Sequence, residues 1–427
     1  MVISVISDSL SLVDQLFKKI DTVSCDRDSI PQDKLDITQK SRASLLPWRG
    51  QFSPELIELL LTYYSLDNSV ILDPFVGSGT TLFESARKGL VCYGSEINPA
   101  AIEMAKTAHF VNIDASLRAN IIETAEAIAQ ESLLPFQEDL FSYYLRQKES
   151  IQLEAPVSDE QILAKILAQA KNNPLVHNIL VNAVIRYQSD RRFTKITDLI
   201  NALNEYTQIV KNLPYSRQKC RVLHRDARSI NLPDQSIDII ITSPPYINVF
   251  NYHQNNRNTM ELIGWDLLKI AKSEIGANRK NRQNRFLTVV QYALDMLDVL
   301  KEMRRLLREN GRAIIVIGRK SNIRGISIDN SRLVSAIAIG ASFRLENRQE
   351  RKFKNKFGDI IYEDILHLKP STVLPADEDL ARVVAQWILT EASPQAEGEI
   401  LNEIMMAKER AKSVQKSPLF PSPNNSL

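Results

Sequence analysis

Short continuous apolar runs alternate, early in the chain, with stretches whose apolar residues recur every three or four positions. Leu56, Ile57, Leu59, Leu60 and Tyr63 mark a helical stripe over 55–64. Val70, Ile71 and Leu72 then predict a buried strand. Residues 81–88 read as helix, 90–94 as a second strand, and Pro99 opens a helix to Phe110, proline being suited to a first turn. Strand, helix, strand, helix predicts a parallel, doubly wound sheet. The alternation then stops. From Asp114 to Val210 the spacing is helical almost throughout, as at Ile162, Ile166, Leu167 and Ala170, with breaks at Pro135, Pro156 and Pro174. That is too long for a simple loop and reads as a helical insert.

The strand pattern resumes at 221–227 and again at 237–242. A polar segment, 248–285, precedes a long amphipathic helix, 289–307, that Gly311 should end. A buried strand at 312–318 follows, then a helix at 329–339. Residues 343–348 and 360–368 pair as a terminal antiparallel hairpin. The expected fold class is therefore α/β, a doubly wound mostly parallel sheet with that hairpin and the insert. The chain divides into an N-terminal extension (1–45), a first half of the sheet domain (46–113), the insert (114–214), a second half (215–370) and a tail (371–427) that ends in a disordered-looking stretch.

The turn after the first strand carries the first candidate chemistry. Asp73-Pro74-Phe75-Val76-Gly77-Ser78-Gly79-Thr80-Thr81 ends a strand in an acid, turns through two glycines and enters a helix. Such a turn brings bare backbone amides and a helix N-terminus to a ligand. No third glycine follows, and no Gly-Lys-Ser/Thr closes a phosphate loop, so a triphosphate is disfavoured. A ligand with an amino acid end and a ribose end fits better. Asp73 would pair with its ammonium group, and Glu96, at the end of the next strand, would hold the ribose hydroxyls.

Composition narrows the class. With 427 residues, 44% of them hydrophobic, the chain can bury a large core. No apolar run approaches a membrane span, and the three cysteines, Cys25, Cys92 and Cys220, lack metal-ligand spacing. A cytoplasmic protein with no metal and no membrane partner is expected. The net charge of +2 hides an uneven distribution. Lys269, Lys272, Arg279, Lys280, Arg282 and Arg285 form one basic run, and Arg344, Arg348, Arg351, Lys352, Lys354 and Lys356 another. Each could be a solvated face. Together, beside a cofactor fold, they favour a phosphate backbone.

The second constellation is Ser243-Pro244-Pro245-Tyr246, just past the isoleucine-rich run 237–241. At the carboxyl edge of a parallel sheet it should sit beside the cofactor. Two prolines fix the backbone and leave a hydroxyl, a rigid carbonyl at Pro244 and an aromatic face. That set suits a planar ring bearing an amine: the ring stacks on Tyr246, and the amine points at Ser243 and Pro244.

These stretches resemble a known family. D-P-F-V-G-S-G-T-T, G-S-E-I-N-P and S-P-P-Y look like motifs of the S-adenosylmethionine-dependent DNA amino-methyltransferases, which modify cytosine N4 or adenine N6 and have a Rossmann-like fold. The serine form of the tetrapeptide is typical of cytosine-N4 members. The resemblance covers residues 47–110 and 220–370, and P-W-R-G-Q-F-S-P looks like a segment that helps close the family's cofactor pocket. It implies S-adenosylmethionine as cofactor, with Asp73, Pro74, Phe75, Gly77, Gly79 and Thr80 around the methionine part, Glu96 on the ribose and Asp226 near the adenine edge. It implies Ser243, Pro244, Pro245 and Tyr246 as catalytic residues acting on a base flipped out of double-stranded DNA. Asn251, Tyr252, Arg257 and Glu261 also resemble a family pattern, although Arg257 and Glu261, four apart, read better as a helix-surface ion pair. The insert could be a target recognition region or a helical embellishment. Other readings are an adenine-N6 or RNA base methyltransferase, a non-catalytic nucleic-acid-binding module and, more distantly, a protein methyltransferase.

Overall fold

A computed structural model describes residues 13–38, 41, 43–48, 50–134, 157–247, 252–276, 281, 283–354, 358–372 and 377–421. Among the described residues nine strands fall in the order β1 Val70–Asp73, β2 Val91–Ser95, β3 Cys220–Leu223, β4 Ile237–Thr242, β5 Leu307–Gly318, β6 Lys320–Ile323, β7 Ile326–Asp329, β8 Phe343–Lys354 and β9 Ile360–Pro370. Seven of them form one sheet, ordered β3-β2-β1-β4-β5-β9-β8. β3, β2, β1, β4 and β5 are mutually parallel, and β9 inserts antiparallel between β5 and β8. This is a Rossmann-like sheet closed by an antiparallel hairpin, as the apolar pattern predicts. From β1 the chain winds outward through β2 and β3, then returns to β4 on the other side. The carboxyl ends of β1 and β4 therefore flank the switch point where such sheets bind ligands.

Alternation along the central strands fills two cores. Ile239 and Ile241 of β4 join Ile71, Ile314 and Val316 on one face. Ile240 joins Leu72, Ile315 and Ile317 on the other, against the buried helix Leu287–Leu306. That helix ends before the expected stop, because β5 already begins at Leu307. Pairing with β4 jumps from Leu307 to Arg312, which leaves extra residues bulged on β5. A Cβ on Gly311 would sit 2.7 Å from Leu307 Cγ. Gly311 thus marks a bulge with close approach, not a helix stop.

The insert is fused to the first core. Helices Ala115–Leu133, Asp159–Gln169, Pro174–Ser189 and Leu199–Lys211 bury their apolar faces in the cluster that includes Ile71 and Ile241. Buried amides fix the docking: Asn178 and Asn182 Nδ2 both donate to the Glu103 carbonyl, at 2.7 and 2.9 Å. Arg118 donates to the carbonyls of Ile113, Leu213 and Pro214. Residues 135–156 of the insert, including the expected breaks at Pro135 and Pro156, lie outside the described residues.

The described segments toward both ends, from Val13 and up to Pro421, are tied to the domain. The Asp26 amide donates to the Arg348 carbonyl at 2.7 Å, so the N-terminal segment lies along the outer edge of β8. Covering an edge strand removes a template for unwanted pairing. The tail departs from the expected disorder as far as Pro421. Ser417 Oγ donates to Asp295 at 2.6 Å, and Phe420, 6% exposed, packs against the His224 ring at 4.8 Å. Proline and serine hide this segment's order from any periodicity. A few buried polar contacts and one aromatic anchor hold it.

Candidate active site

Two clefts open at the carboxyl ends of β1 and β4. The first is lined by Pro74, Phe75, Val76, Gly77 and Thr80 of the glycine turn, and by Glu96, Ile97 and Asn98 after β2. Arg225, Asp226 and Ala227 after β3, Ser243 and Pro245 after β4, and Ser273 to Ile275 complete its walls. Trp48, Gln51, Phe52 and Tyr252 close over it. The second cleft is lined by Ser243, Pro244 and Tyr246 with Val316, Arg351, Lys352, Phe353, Lys354 and Glu363. Gly50, Gln51, Phe52, Ser243 and Tyr252 are common to both.

The turn folds as its glycines require. Gly77 and Gly79 have φ of +53° and +99°, and Gly79 N donates back to the Val76 carbonyl at 2.9 Å. A side chain at Gly77 would meet Trp48 Cδ1 at 3.2 Å. The aromatic strap thus rests directly on the turn, and Ser78 Oγ bonds Gln51 Oε1 at 2.8 Å. Gly79 does not line the cleft. A Cβ there would press on Ala105 at 3.3 Å, so its role is close helix packing.

Asp73 departs from its expected place. It is 1% exposed and does not line the first cleft. Its Oδ1 accepts from Phe75 N and Thr242 Oγ1, at 3.0 and 2.7 Å, and its Oδ2 from Thr81 Oγ1 at 2.7 Å. Burial pushes its carboxyl up to about 6 against the pull of those donors. Asp73 therefore ties β1, β4 and the helix Thr80–Arg87 together behind the cleft, and the structure gives it no path to a ligand ammonium group. The neighbouring strand supplied a hydroxyl that the local sequence could not foretell.

Glu96 lies where the ribose acid was expected. Its Oε2 accepts from Gly77 N at 3.1 Å and its Oε1 from Ile97 N and Asn98 N at 2.9 and 2.8 Å. Burial raises its carboxyl to about 7, and the three amides pull the other way. A carboxylate offers about four acceptor positions, so three amides leave capacity for a hydroxyl donor in the cleft that Glu96 lines. Asp226 also lines the cleft, but Arg228 grips it from Nε (2.9 Å) and Nη2 (2.7 Å), and Phe420 N donates to it at 2.9 Å. Arg228 itself reaches Asp295 and the carbonyls of Ser417 and Pro418. The C-terminal tail thus braces one wall of the cleft, a role no motif announces.

The tetrapeptide faces both clefts. Ser243 borders each, Pro245 the first, and Pro244 and Tyr246 the second. A Cβ at Gly318 would lie 2.7 Å from Tyr246 Cε2, so the tyrosine ring packs closely on bare backbone at the end of β5. Its hydroxyl donates to Glu363 Oε1 at 3.1 Å, and burial raises both groups above their ordinary range. Arg351, 7% exposed, approaches Glu363 Oε2 at 3.5 Å. This removes one member, Arg351, from the second basic run's expected phosphate face, and Lys356 lies outside the described residues. Arg351 is buried, Glu350 takes Arg319, and Glu346 takes Arg312 at 2.7 Å. Lys352 and Lys354 stay exposed at the mouth. In the first run, Arg279, Lys280 and Arg282 lie outside the described residues. Asn251 does too, while Arg257 and Glu261 form the expected surface pair at 2.8 Å. Among the described residues no cluster of His, Cys, Asp or Glu could hold a metal ion, and no helix is long and apolar enough to cross a membrane.

S-adenosylmethionine fits the first cleft. Three acids, Glu96, Asp226 and Glu274, line it beside Arg225, and Arg228 offsets Asp226 from behind the wall. That balance suits a cationic, hydroxyl-bearing ligand and opposes a polyphosphate. Phe75, Ile97, Ala227 and Ile275 supply apolar walls for a flat ring.

A family described as DNA methylase, covering N6 and N4 methyltransferases, matches residues 13–107. The type II methyltransferase M.MjaII of Methanocaldococcus jannaschii is 20% identical over 76% of this chain and 79% of its own length. The type II methyltransferase M.AvaI of Nostoc sp. is 22% identical over 61% of this chain and 62% of its own. Among solved structures, an S-adenosylmethionine-dependent methyltransferase of Methanosarcina mazei overlaps 73% of this chain and 97% of its own at 12% identity and a TM-score of 0.33. The rRNA methyltransferase AviRa of Streptomyces viridochromogenes overlaps 80% and 96% at 12% identity and a TM-score of 0.29. The fold assignment rests on strand order rather than on these overlaps. Taken with the two motifs, the family match over residues 13–107 and the likeness to type II methyltransferases support a DNA amino-methyltransferase with S-adenosylmethionine as cofactor.

Proposed function

We propose that the protein methylates the exocyclic amine of a base flipped out of double-stranded DNA, cytosine N4 in preference to adenine N6, as a modification enzyme with or without a companion nuclease. The observation that carries this reading is the wall shared by the two clefts. Ser243 stands on it, between a cleft suited to the cofactor and one suited to a planar base.

The bound cofactor supplies a sulfonium methyl, so the chain needs no covalent nucleophile of its own. Its residues position. The Ser243 hydroxyl and the Pro244 carbonyl accept the amine hydrogens and stabilise positive character as it develops on nitrogen. Tyr246, braced by Gly318 and Glu363, offers its other face to the ring. Phe75 and Gly77 bound the methionine part, and Glu96 holds the ribose hydroxyls. Orientation of this kind lowers barriers by about 7 to 11 kcal/mol in well-aligned reactions. Unstacking the base costs a few kcal/mol, and the Tyr246 face offsets part of it. Lys352 and Lys354 at the mouth, with Lys269 and Lys272, supply charge for the DNA backbone.

The test is transfer of labelled methyl from S-adenosylmethionine to unmethylated bacterial DNA, followed by digestion and mass analysis of the nucleosides. N4-methylcytosine is expected. N6-methyladenine would keep the enzyme class and remove Ser243 as a mark of cytosine. Methyl transfer to RNA alone would move the substrate.

A further inference from the structure

The base cleft contains a buried cation that the chemistry above does not use. Arg351 is 7% exposed and lines the cleft with Ser243, Pro244 and Tyr246. Glu363 Oε2, 3.5 Å from Arg351 Nη1, balances its charge, and the guanidinium lies 5.0 Å from the Phe353 ring centre. Its Nε is buried and meets no hydrogen-bond partner among the described residues. A buried donor left unpaired costs about 1 to 3 kcal/mol. A ligand that supplies an acceptor removes that cost.

Position links this donor to the reaction. Glu363 touches both Arg351 and, at 3.1 Å, the Tyr246 hydroxyl. The cation therefore stands at the tip of the ring on which the base is to stack. With an amine held at Ser243 and Pro244, cytosine presents two acceptors beyond it on the same edge, N3 and then the O2 carbonyl. Adenine presents N1 and then a C–H. A guanidinium fixed there is satisfied by cytosine and left facing carbon by adenine. Sites that hydrogen-bond a substrate group reject analogues lacking it far better than apolar pockets do.

We infer that Arg351, held by Glu363, is the specificity determinant of the base cleft, donating to the carbonyl edge of a flipped cytosine. The inference rests on the methyltransferase reading above and adds the base-reading residue to it. Lys352 and Lys354, its neighbours on β8, are exposed and serve the backbone instead. One strand would thus alternate a residue that reads the base with residues that hold the phosphates, as strand periodicity allows.

The experiment compares the full chain with Arg351→Met, Arg351→Lys and Glu363→Gln. Each is assayed for methyl transfer to unmethylated bacterial DNA with nucleoside analysis, for S-adenosylmethionine affinity by calorimetry, and for melting temperature. The wild-type chain should yield N4-methylcytosine. Arg351→Met should lower that yield at least 30-fold with cofactor affinity changed less than twofold, and should raise the adenine share of the residual product. Should Arg351→Met fail to fold, Arg351→Lys decides, since it keeps the charge and loses the Nε donor; a loss of at least fivefold is expected. Glu363→Gln, which keeps a polar partner for both neighbours, should lose less than Arg351→Met. Unchanged cytosine methylation in Arg351→Lys or Arg351→Met overturns the inference. N6-methyladenine from the wild-type chain overturns it too while the methyltransferase reading stands, whereas no transfer to any DNA overturns both.

Discussion

The two clefts meet at Ser243, yet they are built in opposite ways. The cofactor cleft draws most of its floor from two strand-to-helix turns, residues 74–80 and 96–98, each continuous in sequence. The base cleft assembles Tyr246, Val316, Arg351 and Glu363 from three strand ends and a loop. A turn whose glycines and acid lie within one stretch can be recognised locally, because backbone geometry alone constrains it. A pocket whose parts meet only after the sheet has closed constrains no short stretch. The first cleft therefore concentrates motif signal, whereas the second carries one motif, residues 243–246, and disperses its other parts.

The sharpest way to break this comparison is to damage one cleft and read the other. Ser243→Ala or Tyr246→Ala should lower methyl transfer at least 100-fold, on the scale of losing one transition-state hydrogen-bond partner. S-adenosylmethionine affinity should stay within about threefold, because Ser243 loses one oxygen at the shared wall and Tyr246 lines the second cleft alone. Parallel calorimetry and labelled-methyl assays check both numbers. Equal loss of affinity and rate would merge the two clefts into one binding site.

Asp73 sharpens the contrast from behind. Its carboxylate holds Thr242 and Thr81 at 2.7 Å each. Asp73→Ala leaves two hydroxyls and the Phe75 amide seeking partners in a fully buried place. A stability loss of about 2 kcal/mol is expected from denaturant unfolding. Asp73→Asn keeps an acceptor at Oδ1, and rotation of the Thr81 hydroxyl meets the new amide, so its loss should be about half as large. If Asp73→Asn instead abolished cofactor binding at unchanged stability, the acid would be a ligand after all.

Asp73 also shows why legibility stops where it does. From sequence, an acid at the carboxyl end of a strand faces the ligand crevice, and Glu96, which lines the first cleft, follows that rule. Asp73 breaks it because Thr242, on a strand 169 residues away, turns its hydroxyl toward the carboxylate. The parallel sheet, the hairpin, the insert and the glycine turn were all legible, since periodicity and turn residues encode them. Arg351 was not. Within the run 344–356 it is one basic residue among six, and only the pairing of β8 with β9 sends it inward while Lys352 and Lys354 stay out. The tail was missed for the same reason. Phe420 and Ser417 act through a few contacts with Asp226, His224 and Asp295, which leave no periodic trace.

Glu96 gives a prediction in pH. Its carboxyl sits near 7 in the folded chain against an ordinary 4.5. Between those values the folded state holds a proton that the unfolded state has released, so the contribution of this group to stability falls as pH rises from 4.5 to 7 and is level above. Cofactor binding runs the other way. Hydroxyls that donate to the carboxylate favour its charged form, so affinity should weaken as pH falls below 7, by up to about tenfold per unit. Calorimetry between pH 5.5 and 8.5 reads this, and Glu96→Gln should flatten it. A flat profile in the unmutated chain would place the ribose elsewhere.

The smallest expected effect tests where the base cleft ends. Arg257 and Glu261 follow the tetrapeptide closely and resemble a family pattern, yet they meet at 2.8 Å on a helix surface with about half of each side chain in solvent. Neither lines either cleft. Exposed pairs of this spacing contribute about 0.3 to 0.5 kcal/mol and are screened by salt. Arg257→Ala should therefore shift stability by less than about 0.5 kcal/mol, with the shift vanishing in high salt. Methyl transfer and cofactor affinity should stay within twofold. A tenfold loss of transfer would mean that this helix closes onto the DNA or the base when they bind. The second cleft would then include a part contributed by motion, which the first cleft, braced by Asp73 and the tail, does not need.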